Sequence, residues 1–322
     1  MSNTEKIIVS LTTMPKRIDK VARTIESLMA QTIKPDKIVL YLTDEEFPTR
    51  ELPDSLREMQ DSVFSIEFRE YNLRPHNKYY YALQEFPDDI VITVDDDIVY
   101  PDDVISKLIQ GHRNYPNSIV CLRAHTIGMY ADGSYKSYFD WFSEKHIVQE
   151  ETHSILATGV GGVLYPPQTM PKETFNREKI MPVVTHDDLW LKWMEAKYDV
   201  KIVLLQDDCD LEYVPDTQSV GLWETVNAFG GNDVMWDKLI KSEGEEAEVI
   251  RKRIYEDYYK HLPVWYEQAQ NTIRESNARI DKLESDLRKA RAKNKKIKNS
   301  TSYKIGRAVT FAPRKAKKLI GK

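Results

Sequence analysis

Short apolar runs rich in β-branched residues recur through the first 205 positions, and the stretches between them carry apolar residues at helical spacing. Residues 7–11 (IIVSL) predict a buried strand, and residues 20–30, with Val21, Ile25, Leu28 and Met29, predict a helix after it. Residues 37–42 (KIVLYL) and 63–68 (VFSIEF) predict two further strands, 78–86 (KYYYALQEF) a helix and 90–94 (IVITV) a fourth strand. This alternation predicts βαβ units: an α/β fold with a mostly parallel sheet flanked by helices. Ligands of such sheets collect beyond the carboxyl ends of the strands, where strand order reverses.

Beyond Tyr100 the pattern is less regular. A helix is expected over 102–113, a strand over 118–124 (SIVCLRA), and two apolar strands around a glycine cluster in 153–167 (HSILATGVGGVLYPP). A helix opens at Asp187, residues 201–205 (KIVLL) form another strand, and residues 206–235 read as loop. The last sixty residues change character. With Ile273 at position a, the a series is Ile273, Ile280, Leu287 and Asn294, and the d series is Ser276, Leu283, Ala290 and Ile297. This is a short heptad pattern with imperfect d positions. The chain therefore divides into a body over 1–262, a helical segment over 263–298 that could pair two copies or act as a spacer, and a basic tail over 299–322.

Composition narrows the class. Of 322 residues, 41% are hydrophobic and 30% charged, so a sizeable core is expected. Two cysteines, Cys121 and Cys209, exclude a disulfide scaffold and a cysteine-based zinc site. No run of about 18 apolar residues exists to span a bilayer, and the N-terminus enters a strand without a signal-like segment, so a cytoplasmic protein is expected. From Leu287 onward lie 14 of the 46 Lys and Arg and no acid, so the remaining 32 face 51 Asp and Glu. An acidic body argues against nucleic acid as the partner. The basic tail, interleaved with Ile305, Val309, Phe311, Leu319 and Ile320, suits the anionic inner surface of a membrane. A disordered solubilising end is the other reading.

The strongest chemical signal is IVITVDDDIVYP, where the fourth strand runs into Asp95, Asp96 and Asp97. Alternate side chains of an extended segment face the same way, so Asp95 and Asp97 can meet one ligand. Mg²⁺ and Mn²⁺ take such oxygen ligands and bridge them to phosphates. The plainer reading is a solvated acidic turn.

VSLTTMPKRI, TIESLMAQTIKPDKIVLYLTDEEFP, NKYYYALQEFPDDIVITVDDDIVYP, GVGGVLYPP and HDDLWLKWM, in that order over residues 5–240, resemble a bacterial glycosyltransferase of the GT-A (Rossmann-like) fold. The nearest type is the enzymes of capsular or other surface polysaccharide synthesis. The resemblance implies a nucleotide-sugar donor, a glycan or lipid-linked glycan acceptor, and a divalent metal, Mn²⁺ or Mg²⁺. It makes Asp97 the direct metal ligand, places Asp95 on the ribose or the metal, and leaves Asp96 at the donor. Thr12, Pro15 and Arg17 would line the nucleotide, with an ordinary surface arginine as the other reading of Arg17. Lys78, which opens a helix, would meet the diphosphate. His76 reads as a loop residue.

The resemblance also puts an inverting general base in HDDLWL, on Asp188 or Asp187. Thr185 and Asp188 match a capping box, which would leave Asp187 the freer carboxylate. Gly159, Gly161 and Gly162 would let an acceptor approach, or form a turn. Trp190 and Trp193 sit three apart on one helix face and suit a sugar, with Trp190 stacking on the acceptor, or they join the core. Tyr138, Asp140 and Trp141 would border the sugar, and Asp207, Asp208, Asp210, Asn232 and Asp233 would complete a lid or metal shell, or remain solvated. A nucleotidyltransferase or sugar-phosphate transferase, and a non-catalytic membrane-docked coiled-coil scaffold, are the rival readings.

Overall fold

A computed structural model describes residues 5–142, 149–205, 211–217 and 230–306. It divides into two units, Met1–Trp265 and Tyr266–Lys322. The strands are β1 (Ile7–Thr12), β2 (Lys37–Thr43), β3 (Phe64–Arg69), β4 (Ile90–Thr93), β5 (Ile98–Val99), β6 (Ile119–Cys121), β7 (Ala124–Thr126), β8 (Ile155–Ala157), β9 (Val163–Tyr165), β10 (Ile202–Leu204) and β11 (Glu212–Tyr213). The helices are α1 (Ala22–Met29), α2 (Asp54–Glu58), α3 (Asn77–Glu85), α4 (Val104–Asn114), α5 (Tyr138–Trp141), α6 (Arg177–Ile180), α7 (Asp187–Lys197), α8 (Asn232–Glu243) and α9 (Glu245–Asn299).

Seven strands form one sheet in the order β10-β6-β9-β4-β1-β2-β3. All neighbours are parallel except β9, which runs antiparallel to β4 and β6. The chain leaves β1 toward β2 and β3 on one side, then returns to β4 on the other. The strand order reverses between β1 and β4, and a crevice opens at their carboxyl ends.

Both faces of the sheet are covered, which is why its strands read as nearly unbroken apolar runs. Val9 and Leu11 of β1 join Ile38, Leu40, Ile92, Ile25 and Leu28 on one side, while Ile8 turns to Val39, Tyr41, Val91 and Ala82 on the other. A further core gathers Trp141, Trp190, Trp193 and Trp236 with Ile250, Ile254 and Tyr258 of α9.

Three local expectations change. Residues 118–124 are two strands, because after Cys121 the chain leaves the main sheet and Ala124–Thr126 pairs with β8 instead. Residues from Asn232 onward are helix, with Asn232 buried at its start. Residues 211–217 are not simple loop: β11 pairs antiparallel with β5, and the Val214 amide donates to the Asp97 carbonyl at 2.8 Å.

In the second unit α9 continues to Asn299, with 301–306 also helical. Ile273, Ile280, Leu283, Leu287 and Ile297 are all exposed. Among the described residues no helix is long and apolar enough to cross a membrane. Residues 307–322 of the basic tail, and Asp207, Asp208, Cys209 and Asp210, lie outside the described residues.

Candidate active site

The crevice at the β1/β4 switch opens into a cavity of about 560 Å³, lined among others by Thr12, Arg17, Lys78, Asp95, Asp96, Asp97, Asp187 and Asp188. The segments predicted to carry chemistry, up to 176 positions apart in sequence, thus meet in one place.

The three aspartates after β4 do different work. Asp96 is an anchor. Its carboxylate accepts from the Thr13 hydroxyl and, at 2.6 Å, from Arg17 Nη1, and its carbonyl accepts from Thr24 Oγ1 at 2.9 Å. Burial pushes the Asp96 carboxyl up, against the pull of Arg17 and Thr13. Arg17 also reaches Asp97 Oδ2 at 3.0 Å and donates to the Thr217 carbonyl at 3.0 Å. Its fork is therefore committed to the loop that carries the aspartates. It is buried, so the surface-arginine reading fails. Asp95 is the most open of the three, with 30% of its side chain exposed against 8% for Asp96 and 10% for Asp97.

Lys78 sits at the centre. It stands in the first turn of α3, where the helix dipole disfavours a cation, so its position answers to the site rather than to the helix. Its ammonium lies 2.6 Å from Asp95 Oδ1 and 3.0 Å from Asp187 Oδ2. Burial works against the charge, yet Asp187, Asp95 and Asp188 hold it well above the ordinary lysine range. Gly159 makes room for this contact: a Cβ there would stand 2.7 Å from Lys78 Nζ and 3.0 Å from Asp95 Oδ1.

Asp187 and Asp188 open α7. The capping box does not form: the N-cap is His186, without a side-chain cap, and Thr185 Oγ1 instead meets His186 Nδ1 at 2.9 Å. The two carboxyls are driven apart. Burial opposes ionisation of Asp187, but Lys78 overrides it and lowers its pKa. Asp188 Oδ1 accepts the Gly159 amide at 3.2 Å. Burial, then the charges of Asp187 and Asp95, push its pKa well above the usual carboxylate range. Environments that separate two carboxyls in this way mark acid–base assignments.

Other predicted residues lie elsewhere. Trp190 is buried in the core and donates its indole N–H to the Thr174 carbonyl at 3.0 Å, away from the cavity lining. This corrects the acceptor-stacking reading: α7 turns that ring inward. Gly161 and Gly162 are also outside the lining. A Cβ on Gly161 would come within 2.5 Å of Arg123 Cβ, and Gly162 has φ +87°, so both serve the turn between β8 and β9. Pro15 is exposed beside the cavity, not in its lining. His76 is buried in a short helical turn, meeting the Tyr79 hydroxyl at 2.8 Å and the Val183 carbonyl at 3.2 Å, and burial lowers its pKa to about 4. Trp141 belongs to the core, and Asp140 holds Ser137 Oγ at 2.9 Å. Tyr138 and Asn232 do line the cavity, and Asp233 caps the Tyr138 amide at 2.7 Å.

Several lining residues carried no clear signal in the sequence. Glu46 follows β2 and Arg74 follows β3, both at carboxyl ends of parallel strands, which was the available clue. Arg74 holds a left-handed φ of +54°, a conformation that non-glycine residues keep mainly where structure enforces it. His125, Tyr138 and Phe142 form an aromatic wall, with His125 and Phe142 ring centroids 4.1 Å apart. Burial, then Arg123, lower the His125 pKa to about 3, so this ring is neutral. His186 presents a buried Nε2 with no hydrogen-bond partner among the described residues.

Among the described residues no group of three or more His, Cys, Asp or Glu is arranged as a metal cage. Asp95 and Asp97 both line the cavity. A Mg²⁺ or Mn²⁺ ion that keeps waters and takes phosphate oxygens needs only one or two carboxylates, so this pair fits such an ion.

Comparison with known proteins bears on the same region. Residues 12–164 match the model for glycosyl transferase family 2. A search of curated protein sequences gave no significant match. Among solved structures, a 4-diphosphocytidyl-2C-methyl-D-erythritol synthase from Anaerococcus prevotii is similar at 12% identity and a TM-score of 0.42, over 72% of this chain and 99% of that one. A mannosyltransferase from Pyrobaculum calidifontis, in complex with GDP-Man and Mn²⁺, is similar at 12% identity and a TM-score of 0.45, over 94% and 83%. The strand order and the cleft at its reversal are GT-A-like, residues 12–164 carry the match to glycosyl transferase family 2, and the protein is a glycosyltransferase.

Proposed function

We propose that the protein transfers a sugar from a nucleoside-diphosphate donor to a hydroxyl of a glycan acceptor, with inversion, in surface polysaccharide synthesis. The observation that carries this reading is the split carboxyl pair at the head of α7. Asp187 is held ionised by Lys78, while Asp188 is made more basic than an ordinary carboxylate. A base needs that shift to take a proton from an alcohol.

The acceptor oxygen attacks the anomeric carbon while its proton passes to Asp188. The bond from that carbon to the diphosphate oxygen breaks, and the electron pair leaves with the nucleoside diphosphate. Carbonyl and carboxylate oxygens around the cavity favour the positive charge that grows on the ring. Asp95 and Asp97 would hold a divalent ion, which when bound neutralises the leaving diphosphate. Lys78 fixes Asp95 and Asp187 together, so the donor side and the base side of the site keep one geometry. Glu46, Arg74, Pro75 and Thr12, on the β1–β3 side, suit the nucleoside, and the His125–Tyr138–Phe142 wall suits a sugar face. The acceptor is a lipid-linked glycan at the inner membrane face, reached through the basic residues of 299–322.

The test is a screen of nucleotide sugars with Mg²⁺ or Mn²⁺, scored for free nucleoside diphosphate. Metal-dependent release that Asp188→Asn lowers by about 10²–10⁴-fold supports the assignment. Release of pyrophosphate instead would move the protein to the nucleotidyltransferases, and Asp188→Asn at full activity would remove Asp188 as the base. Anionic liposomes should bind the full chain and lose it on deletion of 299–322; unchanged binding would reject membrane docking.

A further inference from the structure

The second unit carries an apolar stripe that the described residues leave open. Tyr266, Ile273, Ile280 and Leu287 at a, with Leu283 and Ile297 at d, are each about half exposed or more, from 49% to 68%. In the first unit the same helix α9 buries Ile250, Ile254 and Tyr258 completely or nearly so. The contrast lies between two halves of one helix.

We propose that this stripe pairs with a second copy of the chain as a parallel, in-register, two-stranded coiled coil over residues 266–298. Two features of the sequence as it lies on α9 favour that occupant. The first is charge. In a parallel pair a g residue faces the e residue five positions on in the other copy. Arg279 then meets Glu284 of the second copy, and Asp286 meets Arg291 of the second copy. Symmetry doubles each pair. Lys293 and Lys298 make the one repulsive combination. The second feature is Asn294 at an a position. Only a parallel, in-register pair sets Asn against Asn there, where the two amides satisfy each other. The same register places Ser276 and Ala290 against themselves. A pair of this kind joins two catalytic units in one dimer.

The full-length protein should sediment as a concentration-dependent dimer. Ile273→Cys and Leu287→Cys, oxidised as separate single variants, should each cross-link to themselves, beyond any linking of the wild type through Cys121 or Cys209. An antiparallel pair that brings the two 273 positions together holds the two 287 positions about 40 Å apart, because 14 residues at about 1.5 Å each run in opposite directions on the two helices. Glu284→Arg should weaken the dimer on the order of ten-fold, because two attractive pairs become repulsive. Adding Arg279→Glu should restore it while helix content stays constant. A monomer at every concentration, self-linking by only one of the two cysteine variants, or a dimer indifferent to Glu284→Arg would each overturn the proposal.

Discussion

Replacing Asp187 and Asp188 singly by Asn should move stability in opposite directions. Asp187 lies 3.0 Å from a buried ammonium, and its pKa is lowered in the folded protein. A carboxyl of that kind adds stability that is present above its unfolded pKa of about 4 and is lost as pH falls through the folded value. Asp187→Asn removes one of two partners from Lys78 but leaves Asp95 at 2.6 Å. The expected loss near neutral pH is therefore about 1–3 kcal/mol, below the 3–5 kcal/mol or so of a fully orphaned buried charge.

Asp188 is the reverse case. Its folded pKa is raised by burial and by Asp187 and Asp95, so its stabilising proton is present at low pH and lost as pH rises through the folded value. Asn copies the neutral form and can still accept the Gly159 amide. Asp188→Asn should therefore stabilise by about 0.5–2 kcal/mol at neutral and higher pH, the usual cost of holding an active-site group against its preference. That is a rise of about 2–4 °C per kcal/mol for a unit of this size. The gain should shrink toward zero as pH falls into the ordinary carboxylate range. Thermal unfolding of both variants across pH, beside turnover, reads the two effects together. Asp188→Asn that destabilises more than Asp187→Asn, or a gain that grows as pH falls, would refute the assignment of the two charges.

Two further substitutions probe the same frame. Gly159→Ala inserts a Cβ 2.7 Å from Lys78 Nζ; it should lower kcat/KM by up to about 100-fold through misplacement of Lys78 and Asp95, with stability held within about 1 kcal/mol, and wild-type kinetics would show that the ammonium can yield without consequence. Trp190→Ala should cost about 3–5 kcal/mol of stability, as a fully buried ring does; a variant that instead folds normally and loses only acceptor affinity would return Trp190 to the binding site.

The alternating strands and helices of the first hundred residues were legible because the central strands β1, β2 and β4 are buried on both faces. An unbroken β-branched run such as IVITV has one economical place in a covered parallel sheet. Asp95 to Asp97 were legible for a related reason, since carboxylates that end such a strand stand where ligands collect. The parts of the site that escaped the sequence depend on contacts across long separations. Nothing local distinguishes Gly159 from Gly161 or Gly162, yet only Gly159 faces the Lys78 ammonium. Arg17 read as a donor to a ligand because its partners, Asp96, Asp97 and the Thr217 carbonyl, are 79 to 200 positions away. Trp190 and Trp193 read as a possible sugar platform because three-residue spacing names a helix face without saying what covers it.

The sequence by itself determined the α/β class, the strand that delivers Asp95, Asp96 and Asp97 to the cavity and the helix that opens with the acidic pair. It could do so because hydrophobic period and side-chain chemistry are local properties. Which aspartate anchors, which stays paired and which becomes basic was decided only by the tertiary structure. Charge depends on burial and on neighbours, and Lys78 comes to lie among Asp95, Asp187 and Asp188 only when the chain closes around it.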